Sequence, residues 1–391
     1  MTRFRINTLT AGVLLVLAHT AQADDPTMSQ KPGIPTLAQV MGASGVTVAG
    51  YLDASYTYLS GDGSFYSGNP AAPFGTADRV FDTERNSFNL HMVDVTVSAL
   101  PTEGFGGFVE LGAGSDAKVI HAAGADLAND FDVTQAYLHY ATGPWMLTAG
   151  KFVTASGAEV IRSPDDMNFS RSILFGYAIP FTHTGLRGYY TVNDTLQLFA
   201  GVNNGWDVLK ESAQSSATDG SKATGKTVEL GFSATPIKPL TVAGVYYGGD
   251  ESAGAAKTGR RDLYDLVATY TITDDLSATV NYDWAKQKDA IAAGKDANWN
   301  GLAGYLNYKM NDMWRVALRG EMFDDKNGFR TGVAQKWKEA TLTVAYMPAK
   351  NTELRAEARN DWSDKSSFNF NNGASTGKTQ HSFGLEAIYR F

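Results

Sequence analysis

From Val46 to Phe391 the chain divides into segments of about ten residues in which apolar and polar side chains alternate. One clear segment has Leu276, Ala278, Val280 and Tyr282 on one face and Ser277, Thr279, Asn281 and Asp283 on the other. Because successive side chains of a β-strand point to opposite faces, this period of two predicts strands with one apolar and one polar face. Beyond the first 23 residues no apolar run approaches the length of about 20 residues that a membrane-spanning helix needs. The sequence therefore predicts an all-β protein.

The connections between these segments distinguish a β-sandwich from a barrel. Short turns follow one set of strand ends and longer polar loops follow the other set. We expect the long loops near residues 61–86, 114–130, 154–181, 205–225, 249–261, 286–297, 324–334 and 363–378. A sandwich would mix loop lengths at both ends, whereas a bacterial outer-membrane barrel has short periplasmic turns and long extracellular loops. We therefore predict a transmembrane antiparallel β-barrel.

The number of segments predicts about sixteen strands within residues 46–391, an even number as single-chain bacterial barrels have. Two places interrupt the alternation. The apolar face changes parity at Met92–Val93, so either a β-bulge lies there or the membrane part begins at Val93. Lys151 would face lipid, at a cost of about 2–4 kcal/mol, unless Gly150 introduces a kink or bulge.

Both ends of the chain indicate export to the outer membrane. Two arginines precede the apolar run at residues 11–18, and Ala21-Gln22-Ala23 fits a cleavage site. We expect a signal peptide at residues 1–23, a periplasmic leader at residues 24–45 and the barrel at residues 46–391. The last segment alternates up to Phe391, an aromatic terminus that we expect the barrel-assembly machinery to bind.

Composition and charge exclude several kinds of partner. The chain has no cysteine, so it has neither disulfides nor a thiolate metal site. Removal of the predicted signal peptide takes away Arg3 and Arg5 and changes the net charge from −8 to −10, which opposes nucleic-acid binding. We expect no metal, no cofactor and no nucleic acid. The negative charge favours cations as permeant ions.

The loop at residues 154–181 combines acids, bases and apolar residues, unlike the other long loops. If it folds inward, Ile173–Phe175 would pack against the wall and its charges would form a constriction, since charges in a narrow pore set ion preference. The alternative is a surface loop with solvated charges. The candidate constriction residues are Lys151, Glu159, Arg162, Asp165, Asp166, Arg171 and Arg187. The polar strand faces give the expected lumen-wall residues Asp53, Asp94, Arg315, Arg319, Arg355 and Arg359.

Two stretches of the chain carry a family resemblance. They contain Gly50–Tyr56 and, later, Gly150-Lys151-Phe152, Gly157, Glu159, Asn168, Ser170-Arg171-Ser172, Pro180, His183-Thr184-Gly185 and Arg187. In these residues the sequence resembles the β-barrel porins of the OmpL-like family. The resemblance implies an outer-membrane porin of a Gram-negative bacterium, but no particular solute.

The predicted function is a water-filled channel for passive diffusion of small hydrophilic solutes and ions, because a barrel of about 16 strands encloses an aqueous lumen. The alternative is a non-conducting structural or adhesive barrel. We do not expect an enzyme, since the hydroxyls adjacent to His183 and His381 in sequence would point to the opposite strand face. Expected partners are outer-membrane lipid, the permeant solutes or ions and, by analogy with general porins, other copies in a homotrimer.

Overall fold

Sixteen antiparallel strands form one closed barrel in chain order, and the last strand closes on the first. The structure is a computed structural model that describes residues 9–10, 13–14, 44–64, 78–125, 130–210, 225–252 and 258–391. It confirms the predicted all-β antiparallel barrel and the predicted number of strands. Most of the predicted signal peptide and leader lies outside the described residues.

The elements have the following bounds. The strands are β1 Thr47–Leu59, β2 Ser87–Ala99, β3 Gly104–Ala113, β4 Phe131–Thr142, β5 Trp145–Val153, β6 Thr182–Asn193, β7 Leu196–Asn203, β8 Thr227–Ile237, β9 Leu240–Ser252, β10 Thr258–Thr273, β11 Leu276–Ala292, β12 Lys295–Lys309, β13 Trp314–Asp325, β14 Gln335–Ala349, β15 Thr352–Ser363 and β16 Thr379–Arg390. The loops contain the helix α1 Ser115–Val119, a 3-10 turn Ser163–Asp165, a π-helical turn Leu174–Ala178 and a hairpin of Phe368–Phe370 with Ser375–Gly377. Two dipeptide strands, Leu9–Thr10 and Val13–Leu14, pair outside the barrel. Among the described residues, no helix has the length and apolar character needed to cross a membrane.

The period of two in the sequence sorts side chains between the lumen and the outside. On β16, Ser382 and Glu386 are buried inside the barrel, whereas Phe383 and Leu385 are exposed on its outer face. Aromatic side chains pack together beside the short turns, as Trp314 does with Tyr346 at 4.6 Å between ring centroids. An apolar outer band with interfacial aromatics is what a lipid-facing barrel wall requires.

Both interruptions of the alternation are local irregularities of the backbone. Asp53 pairs with Met92 and Ala54 pairs with Leu90, so His91 is the extra residue of a bulge on β2. Gly150 has a φ of 139°, a conformation that glycine adopts readily, and the resulting kink turns Lys151 into the lumen. There the Lys151 Nζ donates to Asp132 Oδ2 at 2.7 Å. The kink thus keeps a charged side chain away from lipid.

Two of the expected long loops are wrong. Strand β9 extends to Ser252 and strand β10 begins at Thr258, so the loop between them is shorter than the one expected at 249–261. Only two residues connect β11 to β12, where a loop at 286–297 was expected. The two polar strands continue to pair beyond the apolar band, and Lys286 and Asp296 form an ion pair of 2.6 Å in this extension.

We expect Gly150→Ala to reduce the fraction of folded barrel, because a Cβ at this position would lie 2.2 Å from the Ala136 carbonyl oxygen. Relief of the kink would turn Lys151 toward lipid, at a cost of about 2–4 kcal/mol. The fraction is measured by heat-modifiable mobility on gels after refolding. The matched control is Gly304→Ala, where the nearest atom lies at 4.0 Å. Equal folding yields for the two variants would contradict the role of the kink.

Candidate functional site

Residues 154–181, hereafter the inserted loop, leave the wall after β5 and return at β6. The Thr154 N–H donates to the Phe181 carbonyl at 2.9 Å and closes the base of the loop. Near one end of the lumen diameter the Gly157 N–H donates to Asp265 on β10 at 3.1 Å. Near the other end Arg162 donates to Asp94 on β2 at 2.7 Å. Because β2 and β10 are eight strands apart in a ring of sixteen, the inserted loop spans the lumen.

Carboxylates of the wall bind the main-chain N–H groups of the inserted loop. Glu357 on β15 accepts from the Phe169 N–H at 2.7 Å and from the Ser170 N–H at 3.0 Å. Glu321 on β13 accepts from the next pair, Ile173 at 2.6 Å and Leu174 at 3.0 Å. Each carboxylate therefore receives two consecutive peptide donors that would otherwise be buried without a partner.

Arginines of the wall bind the main-chain carbonyls of the same loop. Arg319 on β13 donates to the Ser170 carbonyl at 2.5 Å. Arg355 and Arg359 on β15 donate to the carbonyls of Asp166 and Arg171, each at 2.8 Å. The three guanidinium groups also pair with acids of the wall, namely Glu339, Glu386 and Asp361 at 2.8, 3.0 and 2.8 Å respectively. Each of these arginines thus pairs with an acid of the wall while its remaining donors hold the loop.

Apolar side chains fill the space between the inserted loop and the wall. Leu174 lies over Gly301 of β12 so closely that a Cβ there would meet the Leu174 Cδ1 at 2.6 Å. Phe169 lies over Gly384 of β16 in the same way, also at 2.6 Å. Both anchors are at most 5 % exposed. Because both wall positions are glycines without a side chain, the loop can lie flat against the wall.

Two other long loops cover the inserted loop from the long-loop end. Arg79 donates to Asp361 at 2.9 Å, and the neighbouring Phe81 packs on Phe181 with 5.4 Å between ring centroids. Asp207 accepts from the N–H groups of Phe181 and Thr182 at 2.7 and 2.9 Å. Burial raises the pKa of Asp207 to about 6, although these two hydrogen bonds lower it. The Asp207 carboxylate therefore helps to fix the return of the loop to β6.

The structure brings together five of the seven candidate constriction residues. Within the loop, Arg171 pairs with Asp166 at 3.0 Å and Arg162 pairs with Asp165 at 3.2 Å. Glu159 pairs with Arg319 of the wall at 2.7 Å. Asp166 and Arg171 are each 5 % exposed, so they are structural ion pairs rather than charges facing water.

Lys151 and Arg187 lie on the inner wall but are not in contact with the acids of the inserted loop. Lys151 binds Asp132, and Arg187 forms a two-point ion pair with Glu229 at 2.8 and 2.7 Å. The Arg187 guanidinium also lies over the Phe152 ring at 4.3 Å. Both cations are neutralised by neighbours on their own side of the barrel.

All six expected lumen-wall residues lie on the inner face. Asp94 binds Arg162, and Arg315 binds Glu353 at 2.5 Å. Asp53 is 1 % exposed and its Oδ1 has no hydrogen-bond partner among the described residues. The other three are the arginines that hold the inserted loop, Arg319, Arg355 and Arg359.

Four charged side chains of the site retain access to solvent, and we call them the mouth cluster. They are Arg162, Asp165, Arg315 and Arg390, whose side chains are 26 %, 16 %, 15 % and 33 % exposed. Arg315 and Arg390 lie beside the short turns, so the cluster faces that end of the barrel. A solute that enters from this end meets these charges first.

The wall carboxylates Glu321 and Glu357 were missed as functional residues. The signal was present in β15, where Glu353, Arg355, Glu357, Arg359 and Asp361 place charges of alternating sign on one face. A row of alternating charges on the inner face of a strand needs polar partners inside the barrel, because buried charges without hydrogen-bond partners are unfavourable. A peptide main chain supplies both donors and acceptors to it.

We expect the double variant Glu321→Gln, Glu357→Gln to loosen the inserted loop, because each carboxamide offers one acceptor oxygen in place of two. A hydrogen bond to a charged group contributes about 1.5–3 kcal/mol. Single-channel recordings should show more frequent transitions between conductance levels than the unchanged protein does. The matched control is Glu84→Gln at an exposed position of an outer loop. Identical recordings for the double variant and the control would contradict this role.

A family model described as "Putative beta-barrel porin-2, OmpL-like" matches residues 45–391. No curated protein sequence matches the chain.

Solved outer-membrane proteins share the fold. The anion-selective porin from Comamonas acidovorans has a TM-score of 0.61 at 13 % identity, covering 88 % of this chain and 99 % of that chain. The outer-membrane channel DcaP of Acinetobacter baumannii has a TM-score of 0.57 at 14 % identity, covering 88 % and 97 %. OmpT of Vibrio cholerae in its trimer form has a TM-score of 0.55 at 14 % identity, covering 88 % and 99 %. At these identities the likeness concerns the fold.

Proposed function

Because the chain belongs to the OmpL-like family of β-barrel porins, we propose that its inserted loop is the filter of an outer-membrane diffusion channel. The protein is a porin of the Gram-negative outer membrane, as the sequence predicted. The observation that supports the filter is the span of the inserted loop from β2 to β10. A segment that crosses the diameter narrows the path of every solute.

In the proposed mechanism, small hydrophilic solutes and ions diffuse down their gradients along the space that the inserted loop leaves open. Charges buried in pairs have little influence on a passing ion, since each pair is nearly neutral from outside. The partly exposed mouth cluster therefore sets the ion preference. Arg162 and Asp165 carry opposite charges and both belong to the loop, so they are the pair whose balance decides selectivity.

We expect Asp165→Asn to shift the reversal potential in a salt gradient toward anions and Arg162→Gln to shift it toward cations. A unit charge at 4 Å contributes about 1 kcal/mol in water, so a change of about two- to fivefold in the permeability ratio is expected. The measurement is single-channel recording of the purified protein in a planar bilayer. The matched control is Asp312→Asn in a short turn, where the side chain is 94 % exposed.

Two results would overturn the proposal. An equal shift for Asp165→Asn and Asp312→Asn would mean that the overall charge of the rim, rather than the loop, sets selectivity. A folded, heat-modifiable protein that never conducts would favour a structural or adhesive barrel instead.

We propose that the barrel has no enzymatic role, although one hydrogen-bonded chain has the order of a catalytic triad. Ser55 Oγ lies 2.8 Å from His91 Nε2, and His91 Nδ1 lies 2.8 Å from Asp116 Oδ1. Ser55 is 5 % exposed, and the Phe169 ring packs edge-on against the imidazole at 5.4 Å. A substrate carbonyl could not approach the Ser55 hydroxyl. The role of these three hydrogen-bonded side chains is therefore to attach α1 to the barrel wall.

We also propose that the barrel forms a homotrimer through the outer face of β2–β5. An apolar hollow of about 510 Å³ lies there, lined by small residues that include Ala99, Gly107 and Ala136. Leu138, which also lines the hollow, is 70 % exposed. Small residues allow a neighbouring wall to approach closely.

We expect Gly107→Trp to fill the hollow and convert the trimer to monomer, as measured by light scattering of the detergent-solubilised protein. The matched control is Gly304→Trp on the outer face of β12, across the barrel, which should leave the trimer intact. This interface would be contradicted if the protein without substitutions were a monomer, or if the Gly107→Trp variant were still a trimer.

Further proposed partners are lipid and the assembly machinery. The outer face presents exposed aliphatic side chains such as Leu230 and Leu302 to the acyl chains. Phe391 is 54 % exposed, and its N–H and carbonyl exchange hydrogen bonds of 3.0 Å with Gly50. The half-exposed Phe391 ring, which lies over Gly50, is the feature that we propose the barrel-assembly machinery binds.

A further inference from the structure

Two arginines and two tryptophans meet at the long-loop end of the barrel, and we call them the arginine–aromatic cluster. Arg261 and Trp299 are buried on β10 and β12, whereas Trp206 and Arg330 belong to the loops after β7 and β13. The guanidinium carbon of Arg330 lies 5.0 Å from the centre of the Trp206 ring and 5.4 Å from that of Trp299. The guanidinium carbon of Arg261 lies 4.6 Å from Trp206 and 5.9 Å from Trp299. Two like charges therefore share the same pair of indole rings.

The arginine–aromatic cluster rests on the inserted loop. Arg330 Nε donates to the Tyr177 carbonyl at 2.5 Å, and Trp299 Nε1 donates to the Ala178 carbonyl at 3.1 Å. Both carbonyls belong to the π-helical turn Leu174–Ala178. The cluster thus lies on the extracellular side of the inserted loop, where a solute arrives from outside the cell.

Arg330 retains hydrogen-bond donors that the protein does not use. Its Nη1 and Nη2 donate to none of the described residues, and neither nitrogen is cut off from solvent. Aromatic rings attract a guanidinium group without occupying its N–H donors. The wall arginines differ in this respect, since Arg187 directs two nitrogens at Glu229. The structure therefore holds the Arg330 charge in place and leaves its terminal donors available.

Three carboxylates lie near this guanidinium, but each is engaged by main-chain N–H groups. Asp325 accepts from the N–H groups of residues 329–331 at 3.0, 2.9 and 2.7 Å. Glu251 accepts from the Trp206 N–H at 3.0 Å, and Asp207 holds the return of the inserted loop. Among the described residues none of the three forms a salt bridge with the guanidinium. These acids stabilise loops and do not neutralise the arginine by direct contact.

The acid–base equilibrium of Arg330 agrees with this geometry. Burial and, after it, the positive charge of Arg261 lower the pKa of Arg330 to about 10, although Asp207 and Asp325 act in the opposite direction. The charged form is therefore less stable here than in water. A negative charge brought to the terminal donors would stabilise it.

We propose that Arg330 binds an oxyanion, the carboxylate or phosphate group of a solute, on the extracellular side of the inserted loop. The two terminal nitrogens of a guanidinium match two oxygens of such a group, and hydrogen bonds between ionised partners are the strong ones. Arg261 adds positive potential from the wall. As a site for solutes that enter the channel, it rests on the proposed function, but the binding itself does not require conduction.

The test is tryptophan fluorescence of the purified mature protein in a zwitterionic detergent, because Trp206 lies against Arg330. Sodium phosphate and sodium acetate are the probes, and NaCl at equal ionic strength is the reference. We expect a saturable change with at least one probe. Arg330→Gln should weaken this binding about tenfold or more, because it removes charge-assisted hydrogen bonds. The matched control, Arg85→Gln, removes an equal charge from an outer loop, where the side chain is 37 % exposed and pairs with Asp62, and it should bind as the parent does.

The variant should fold, since Asp325 holds the loop through main-chain groups that the substitution leaves in place. Should Arg330→Gln fail to fold, Arg330→Lys replaces it, because lysine keeps the charge and loses the two-point geometry. A response to phosphate alone supports the site and identifies a phosphate-bearing solute, and a response to acetate alone supports it and identifies a carboxylate.

Two outcomes would overturn the proposal. One is a parent protein that shows no saturable change beyond that of NaCl with either probe. The other is an equal affinity of the parent and the Arg330 variant. A barrel that conducts and binds neither probe would refute this site and leave the filter intact, whereas a barrel that binds a probe and never conducts would refute the filter alone.

Discussion

The inserted loop depends on one requirement: peptide groups inside a barrel must find hydrogen-bond partners away from bulk water. The wall meets it with ionised side chains of both signs. Glu321 and Glu357 each bind two consecutive N–H groups, and the arginines between them bind carbonyls. Because both partners of each contact are needed, the loop and the charged face of β13–β15 form one structural unit.

This arrangement separates charges that build the channel from charges that a solute meets. Arg319 and Arg359 are ion-paired, buried and bound to main-chain carbonyls. Arg162 and Asp165 keep part of their surface in water. The negative total charge of the chain is therefore a poor guide to ion preference, since lumen acids such as Glu339 and Asp361 are already paired with arginines.

The sequence predicted correctly those features that depend on the pattern of residues along a single strand. It predicted sixteen strands, the irregularity at Met92–Val93 and the kink at Gly150, because period-two alternation reports each of them locally. It was insufficient where register joins separate strands. The approach of Arg261 to Trp299 follows from which residues pair across β10–β12, and alternation is silent on that pairing. The length of β11 and β12 was missed because polar strands above the membrane resemble loops in composition.

The contacts of the inserted loop with β2 and β10 have a mechanical meaning. A hollow cylinder made of sheet bends easily into an ellipse, since flattening changes strand twist slightly and breaks no ladder hydrogen bonds. A loop that is bound to strands on opposite sides of the barrel resists this flattening. A deformation of the wall that separates or approaches β2 and β10 would therefore also displace the inserted loop that joins them.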